Sequence, residues 1–160
     1  MPLTSKAQTQ VFYDANLTIQ ELSEAYSRWE RAHNQPHLPT IFVPLLDIYN
    51  PEGKLIYHGD ERDTAKAAQI LNSLPNIPLA PPSSGVMLGI NDVLEITPAA
   101  TKWKSAILNK HHFVVVSYSI RGSGKISNDN SAQNHAVDSI PRRRGVDIDI
   151  VRLNIVLPKN

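Results

Sequence analysis

The stretch DIYNPEGKLIYHGDERD, residues 47–63, constrains the fold more than any other part of the chain. Its centre, NPEG, fits a four-residue turn in which Asn50 opens the turn, Pro51 takes the second position and Gly53 closes it. Apolar residues flank the turn on both sides, so the sequence predicts two antiparallel strands joined at this point. Asp60 is then expected to begin a helix as its N-cap residue.

The residues before this unit predict one strand and one helix. The β-branched and aromatic residues of TQVFYDA indicate a strand over 9–15. Thr18 and Glu21 fit a capping box, in which each side chain accepts a hydrogen bond from a backbone N–H at the helix start. The helix is expected over 17–34. Its predicted apolar face holds Ile19, Leu22, Tyr26 and Trp29.

An apolar run, TIFVPLLDIY at 40–49, precedes the turn and predicts a strand that is buried on both faces. Pro44 lacks a backbone N–H, so the strand either lies at a sheet edge there or begins after the proline. The segment ERDTAKAAQILNSL then predicts a helix over 61–74. The side chains expected to face the sheet are Ala65, Ala68 and Leu71.

The second half of the chain opens with a proline-rich connector over 75–98, which leaves little room for regular structure. A helix over 99–110 and a strand over 111–120 are predicted next. The segment 121–145 is polar and rich in Gly, Ser and Asn, and it is interpreted as a long loop. The following strand, 146–157, is expected to pair with 111–120 as a wide hairpin that carries this loop at its tip.

These elements together predict an α+β fold, with a mixed or antiparallel sheet flanked by about three helices. We expect residues 1–160 to form a single domain, with sub-lobes 1–75 and 97–160 on either side of the connector. The apolar alternation of the last strand changes phase near Ile150. Either a β-bulge or burial of both faces would explain that change.

Residues 9–74 resemble, in part, a thioredoxin-like or peroxiredoxin-like domain. The matching text is LPT at 38–40, the apolar strand, the hairpin DIYNPEGKLIYHG and the helix that closes it. In that family the proline of such an LPT is usually in a cis peptide bond and faces the active site, so the resemblance implies a cis bond at Pro39. The family's usual second strand and second helix before LPT are missing here, and the C-terminal half carries no such resemblance.

The chain contains no cysteine. Thiol–disulfide exchange needs a thiolate to attack sulfur, so the redox activity of thioredoxins is excluded. Disulfides and thiolate metal sites are excluded for the same reason. A thioredoxin-like lobe in this chain would therefore serve binding or architecture.

The most distinctive polar feature is the basic text PRRRG within 121–145. Pairing of the flanking strands would bring five cations together, namely Arg121, Lys125, Arg142, Arg143 and Arg144. Such a cluster suits an acidic protein surface or the phosphates of a nucleic acid. A solvated loop that keeps a strand end soluble gives the same pattern. The loop contains no aromatic residue, so base stacking is not predicted.

These observations favour a non-enzymatic protein-binding or assembly module that forms part of a larger complex. One alternative is nucleic-acid or polyanion binding through the basic loop 121–145, and another is a small metal-dependent hydrolase near His58. Neighbouring His111 and His112 would point to opposite faces of a strand and could not easily share a metal, so no metal site is predicted. The text RGSGK departs from the P-loop pattern at two positions, and no cofactor is expected.

The remaining composition bears on partners and location. Residues 1–80 carry a net charge of −3 (6 Lys/Arg against 9 Asp/Glu) and residues 81–160 one of +4 (10 against 6), a mild split that weakly favours an anionic partner. No run of about 18 apolar residues is present, so no membrane span is predicted. The first ten residues lack an apolar signal region, which fits a cytoplasmic protein or an exported protein whose signal segment has been removed. Another protein is the expected partner, and an exposed edge strand, with the last strand as candidate, would also allow a homodimer.

Overall fold

The chain folds into five strands and five helices over the residues that the structure describes. The computed structural model describes residues 10–34, 45–59, 64–74, 76, 89–97, 102–120, 125–140 and 147–157. The strands are β1 (Gln10–Thr18), β2 (Leu45–Tyr49), β3 (Leu55–Gly59), β4 (Phe113–Ile120) and β5 (Ile148–Val156). The helices are α1 (Ile19–Ala32), α2 (Thr64–Asn72), α3 (Ile90–Ile96), α4 (Lys104–Leu108) and α5 (Lys125–Asp138). None of these described helices is long and apolar enough to cross a lipid bilayer.

A mixed sheet with the strand order β1-β5-β4-β2-β3 organises these elements. β1, β5 and β4 run parallel to one another, whereas β2 pairs antiparallel with both β4 and β3. The predicted α+β fold with a mixed sheet is therefore confirmed. The described residues form five helices rather than about three, because α3 and α5 lie in segments that the sequence predicts as a connector and a loop.

The predicted hairpin between the two C-terminal strands is wrong. β4 and β5 pair in parallel, and Phe113 lies opposite Ile148 at the start of both strands. Parallel neighbours need a crossover connection between them, and α5 supplies it. The segment 121–145 is therefore more than a loop, since 14 of its residues form this helix.

Buried amide side chains explain why the sequence pattern of α5 does not read as helical. Asn130, Gln133 and Val137 of α5, with Ile140 just beyond its end, recur at helical spacing, and all four are buried. Two of the four are polar, so the stripe that packs on the sheet does not appear apolar in the sequence. Asn130 Oδ1 accepts a hydrogen bond of 2.8 Å from the backbone N–H of Ile120, which compensates its burial.

β5 is buried on both faces, which explains the change of phase in its apolar pattern. The successive residues Ile148, Asp149, Ile150 and Val151 are all buried. The register with β1 and with β4 continues without a shift, so the burial of both faces is the correct alternative and no bulge is present in β5. Because β5 is paired on both sides, the prediction that it is an edge strand is wrong. β1 and β3 occupy the edges instead.

Helices cover both faces of the sheet. α1, α3 and α4 pack on one face, which includes the fully buried Leu153. α2 and α5 pack on the other face, which includes Ile150. Among the described side chains of α2, Ala67 and Leu71 are buried, whereas Ala68, predicted to face the sheet, is exposed. The side chain of Ala65 lies outside the described residues. β2 begins directly after Pro44 and is buried along its whole length, as a strand covered on both faces must be.

Two local predictions are confirmed. The backbone N–H of Glu21 donates to Thr18 Oγ1 (3.0 Å) and the N–H of Thr18 donates to Glu21 Oε2 (2.9 Å), which completes the capping box of α1. At the β2–β3 turn, the N–H of Gly53 donates to the carbonyl of Asn50 (2.9 Å), and Gly53 has a φ of 81° that glycine adopts without steric cost. Ile19, by contrast, is 45% exposed rather than part of the apolar face.

Candidate functional site

The basic residues predicted to form a binding site are mostly outside the described residues. Arg121, Arg142, Arg143 and Arg144 lie outside them, as does Pro39 with its predicted cis bond. Lys125 is the first residue of α5. A binding site formed by these basic residues therefore stays a prediction.

The hairpin that would have brought these cations together does not form. In parallel strands the end of β4 and the start of β5 lie at opposite ends of the sheet. Seven residues of strand separate those ends, which corresponds to about 23 Å. The predicted convergence of the five cations depended on that hairpin, so the observed strand pairing does not support it.

A buried acid–histidine pair joins the central strand β2 to the edge strand β3. Asp47 and His58 are directly opposite each other in the hairpin register, and 2.5 Å separate Asp47 Oδ1 from His58 Nδ1. Asp47 is only 7% exposed, whereas the His58 side chain is 32% exposed. Burial raises the pKa of the Asp47 carboxyl above its usual value, and the hydrogen bond and charge of His58 oppose that rise. The pair therefore links a buried titratable carboxyl group to a partly exposed imidazole.

Three tyrosines surround this carboxyl group on the face of the sheet that α1, α3 and α4 cover. They come from three elements, with Tyr26 on α1, Tyr49 on β2 and Tyr118 on β4, and the hydroxyls of Tyr26 and Tyr118 are hydrogen-bonded to each other. Burial raises the pKa of all three phenols, and the nearby Asp47 carboxylate raises it further. The phenols are therefore neutral at physiological pH, and they form the environment of the Asp47 carboxyl group.

A second charged cluster lies at the start of the parallel strands. Lys110 Nζ donates to Tyr13 Oη (3.0 Å) and lies 3.4 Å from Asp149 Oδ1. His112 Nδ1 is 3.5 Å from the same oxygen, and His112 Nε2 is 3.7 Å from Asp147 Oδ2. The hydrogen bond to Tyr13 and the charge of Asp149 raise the pKa of Lys110, against its partial desolvation. Lys110 is thus a stable cation that balances a carboxylate with no exposed surface.

The acids at the centre of both clusters were not among the predicted site residues. Asp47 interrupts the apolar run LLDIY, and Asp149 interrupts the run IDIV. A carboxylate in a fully buried strand must find a cation or hydrogen-bond donors, since its desolvation is otherwise too costly. A lone acid inside a strand buried on both faces is therefore the sequence signal that would have found these clusters.

A small cavity of about 160 Å³ opens beside the second cluster. The β2–β3 turn, the start of α3, the end of α4 and the pair His111 and His112 line it. His111 has a φ of 54°, in the left-handed region that a histidine rarely adopts. The cavity has room for about five water molecules. Both polar and apolar side chains contribute to its lining.

The two edges of the sheet differ in how far they are open to another strand. β1 spans nine residues without Gly, Pro or Lys, and its register with β5 has no shift. β3 spans five residues, and its pairing with β2 shifts register between Ile48 and Tyr49. No other described strand pairs with the outer side of β1. β1 therefore offers the longer and more regular row of backbone hydrogen-bonding groups.

Aromatic side chains of β1 carry a cation on each face of the strand. Phe12 is 41% exposed, and the guanidinium of Arg152 lies 4.7 Å from its ring centroid. Lys110 Nζ lies 5.5 Å from the ring centroid of the neighbouring Tyr13. Arg152 is also ion-paired with Asp138 on α5. The aromatic rings are thereby held in place beside the strand edge.

Metal sites and known relatives give no further guide to function. Within the described ranges, no group of three or more His, Asp or Glu side chains is arranged to hold a metal ion. Comparison of the chain with protein-family models, curated proteins and solved structures found no match.

Proposed function

We propose that this protein is a protein-binding or assembly module that takes up an extended segment of a partner protein along the outer edge of β1. The observation that carries the proposal is the regular nine-residue edge of β1, on whose outer side no described strand pairs. An extended segment that adds to such an edge gains main-chain hydrogen bonds, and side-chain contacts at alternate residues provide specificity.

The contrast with β3 supports this choice of edge. Proteins protect exposed edges with short strands, bulges, prolines or lysines. β3 is short and its pairing is irregular, whereas β1 has none of these protections and carries a single charged residue, Asp14. Phe12 would lie beside an added strand, and its exposed ring would lose contact with water on binding.

A thioredoxin-type architecture without redox chemistry is part of the proposal. The β2–β3 hairpin with α2 corresponds to the part of that family that residues 38–74 resemble. A parallel β4–α5–β5 unit lies beside β2, and it follows the hairpin in this chain. In thioredoxins a strand–helix–strand unit comes before the hairpin. The reversed order of the two halves would explain why a second strand and helix are missing before LPT.

Site-specific photo-crosslinking tests the proposed edge. A photoreactive phenylalanine analogue replaces Phe12 in one variant and the exposed Ala68 of α2 in a control, each expressed in the native cells. We expect crosslinks from position 12 to one extended segment of a partner, identified by mass spectrometry. Backbone amides of β1 should then become protected from hydrogen exchange in the purified complex.

An affinity measurement provides the quantitative arm. Phe12→Ser should weaken binding of the identified segment about tenfold, as loss of a contact worth about 1.4 kcal/mol does. Ala68→Ser should leave the affinity unchanged. Equal crosslinking from both positions, or β1 amides that exchange equally fast in the complex, would show that the partner does not bind at β1. A crosslinked second copy of this chain would identify the partner as the protein itself.

A further inference from the structure

We infer that the segment bound at β1 is basic, with a lysine or arginine beside Asp14 and a large apolar residue two positions away, beside Phe12. This partner chemistry rests on the proposed binding at β1 and makes it more specific. The partner is a segment of a different protein rather than a second copy of this chain.

One face of β1 is open to contacts with such a segment. Successive side chains of a strand point to opposite faces of the sheet. Ala15 and Leu17 are buried in the core that α1, α3 and α4 cover. The other face presents exposed side chains, namely Phe12, Asp14, Asn16 and Thr18. Side chains of an added strand alternate in the same way, so every second residue of that strand lies beside this exposed row.

Asp14 carries a negative charge that no described residue neutralises. The strand register places Arg152 of β5 directly opposite Asp14. Arg152 is instead ion-paired with Asp138 on α5, and its guanidinium lies 4.7 Å from the centroid of the Phe12 ring. The Asp14 side chain has no ion pair or hydrogen bond within the described part of the chain. A lysine or arginine on an added strand would provide the missing cation, since opposite charges on neighbouring strands stabilise a sheet.

Phe12 provides the second contact of the same row. Its side chain is 41% exposed, and the guanidinium of Arg152 lies against the ring as in a cation–π contact. A large apolar side chain on the added strand would remove the exposed part of the ring from water, which is favourable. Phe12 and Asp14 are two positions apart, so the apolar and basic residues of the segment are two positions apart as well. The direction of the segment changes only their order.

The charge of Asp14 disfavours a second copy of this chain at the same edge. Two β1 strands that pair antiparallel along all nine residues match Gln10 with Thr18, and therefore Asp14 with Asp14 of the other copy. Like charges directly opposite each other destabilise a strand pair. β1 contains no lysine or arginine that could offset this repulsion. Charge complementarity thus favours a basic segment of another protein.

Selection from a peptide library tests this chemistry without knowledge of the natural partner. Random peptides of about ten residues, long enough to span the edge of β1, are displayed on phage and selected on the full-length chain. Ligands of β1 are the peptides whose affinity falls in Phe12→Ser but not in Ala68→Ser. We expect them to share a lysine or arginine two positions from a large apolar residue. If no selected peptide depends on Phe12, the proposed binding at β1 fails and the partner chemistry fails with it. If the ligands of β1 lack the basic residue, only the partner chemistry is refuted.

An exchange of charge between the two strands measures the contact directly. Fluorescence anisotropy should show that Asp14→Lys binds a selected peptide about tenfold more weakly than the wild type does. Replacing the basic residue of the peptide with glutamate should restore its affinity for Asp14→Lys. Glu52→Lys, at an exposed position of the β2–β3 turn, changes the net charge equally and should bind like the wild type. Circular dichroism verifies that each variant is folded. Equal affinities of wild type and Asp14→Lys, or an equal loss in Glu52→Lys, would overturn the inference.

Discussion

Replacing Gln133 with leucine tests whether α5 is held on the sheet by its buried amides. Gln133 is 1% exposed. Its Nε2 lies 2.9 Å from Ser117 Oγ, 3.1 Å from the carbonyl of Leu45 and 3.3 Å from the carbonyl of Tyr118. One side chain thus connects the crossover helix to β4 and to the start of β2.

The magnitude follows from the number of hydrogens available. Nε2 carries two hydrogens, so it satisfies two of these three acceptors at a time. Each neutral hydrogen bond stabilises the fold by about 1 kcal/mol, and a buried acceptor left without a partner costs a further ~1–3 kcal/mol. The more apolar leucine offsets about 1 kcal/mol of this loss. We expect Gln133→Leu to lower the free energy of unfolding by about 2 kcal/mol.

Urea denaturation followed by far-UV circular dichroism measures this change. Gln69→Leu, at an exposed position of α2, is the matched control and should change the stability by less than about 0.5 kcal/mol. Amides of α5 should exchange faster in Gln133→Leu than in the wild type. If Gln133→Leu is as stable as the wild type, the hydrogen bonds described for α5 do not hold the helix, and the reasoning fails.

Three further predictions concern stability. Gly53→Ala forces a left-handed φ onto alanine and brings its Cβ to 3.1 Å from Ile90 Cγ2, so it should lower the free energy of unfolding by at least about 1 kcal/mol. Gly89→Ala, at an ordinary φ, should cost less in urea denaturation, and equal costs would contradict this reasoning. Thr18→Ala removes the N-cap of α1 and should cost about 1 kcal/mol, and an unchanged midpoint would argue against the capping box. Because the pKa of Asp47 is raised in the folded state, the stability this group contributes is present below about pH 4 and is lost as the pH rises through the folded pKa; Asp47→Asn should remove that fall, and parallel pH profiles would refute it.

The features that depend on local chemistry are the ones that could be predicted from the sequence. The capping box at Thr18 and the turn that ends at Gly53 depend on a few neighbouring residues, and both are in place. The parallel pairing of β4 and β5 depends instead on the helix between them. The face of that helix that packs on the sheet contains the polar residues Asn130 and Gln133, so it does not look apolar in the sequence. Their burial depends on hydrogen bonds to strands that lie far from them along the chain or cannot be identified from the local sequence.

The candidate sites show the same limit. His58 was predicted as a site residue only in the hydrolase alternative, and its partner Asp47 was placed in the same hairpin without being assigned a role. The register of the turn puts the two opposite each other, so the contact follows from the sequence once the hairpin is accepted. The contact of Lys110 with Asp149 does not, because it joins segments 39 residues apart through the strand order of the whole sheet.

The pairing of β1 with β5 sets the order in which the sheet can be completed. Gln10 lies opposite Ile148, a separation of 138 positions (148 − 10). During synthesis β1 therefore stays unpaired until β5 has emerged, after all the other described elements. β4 likewise lacks its partner on one side until then. Contacts of such long range slow folding and leave strand edges exposed to other chains. We expect nascent chains of this protein to depend on chaperones until β5 is released and joins the two waiting strands.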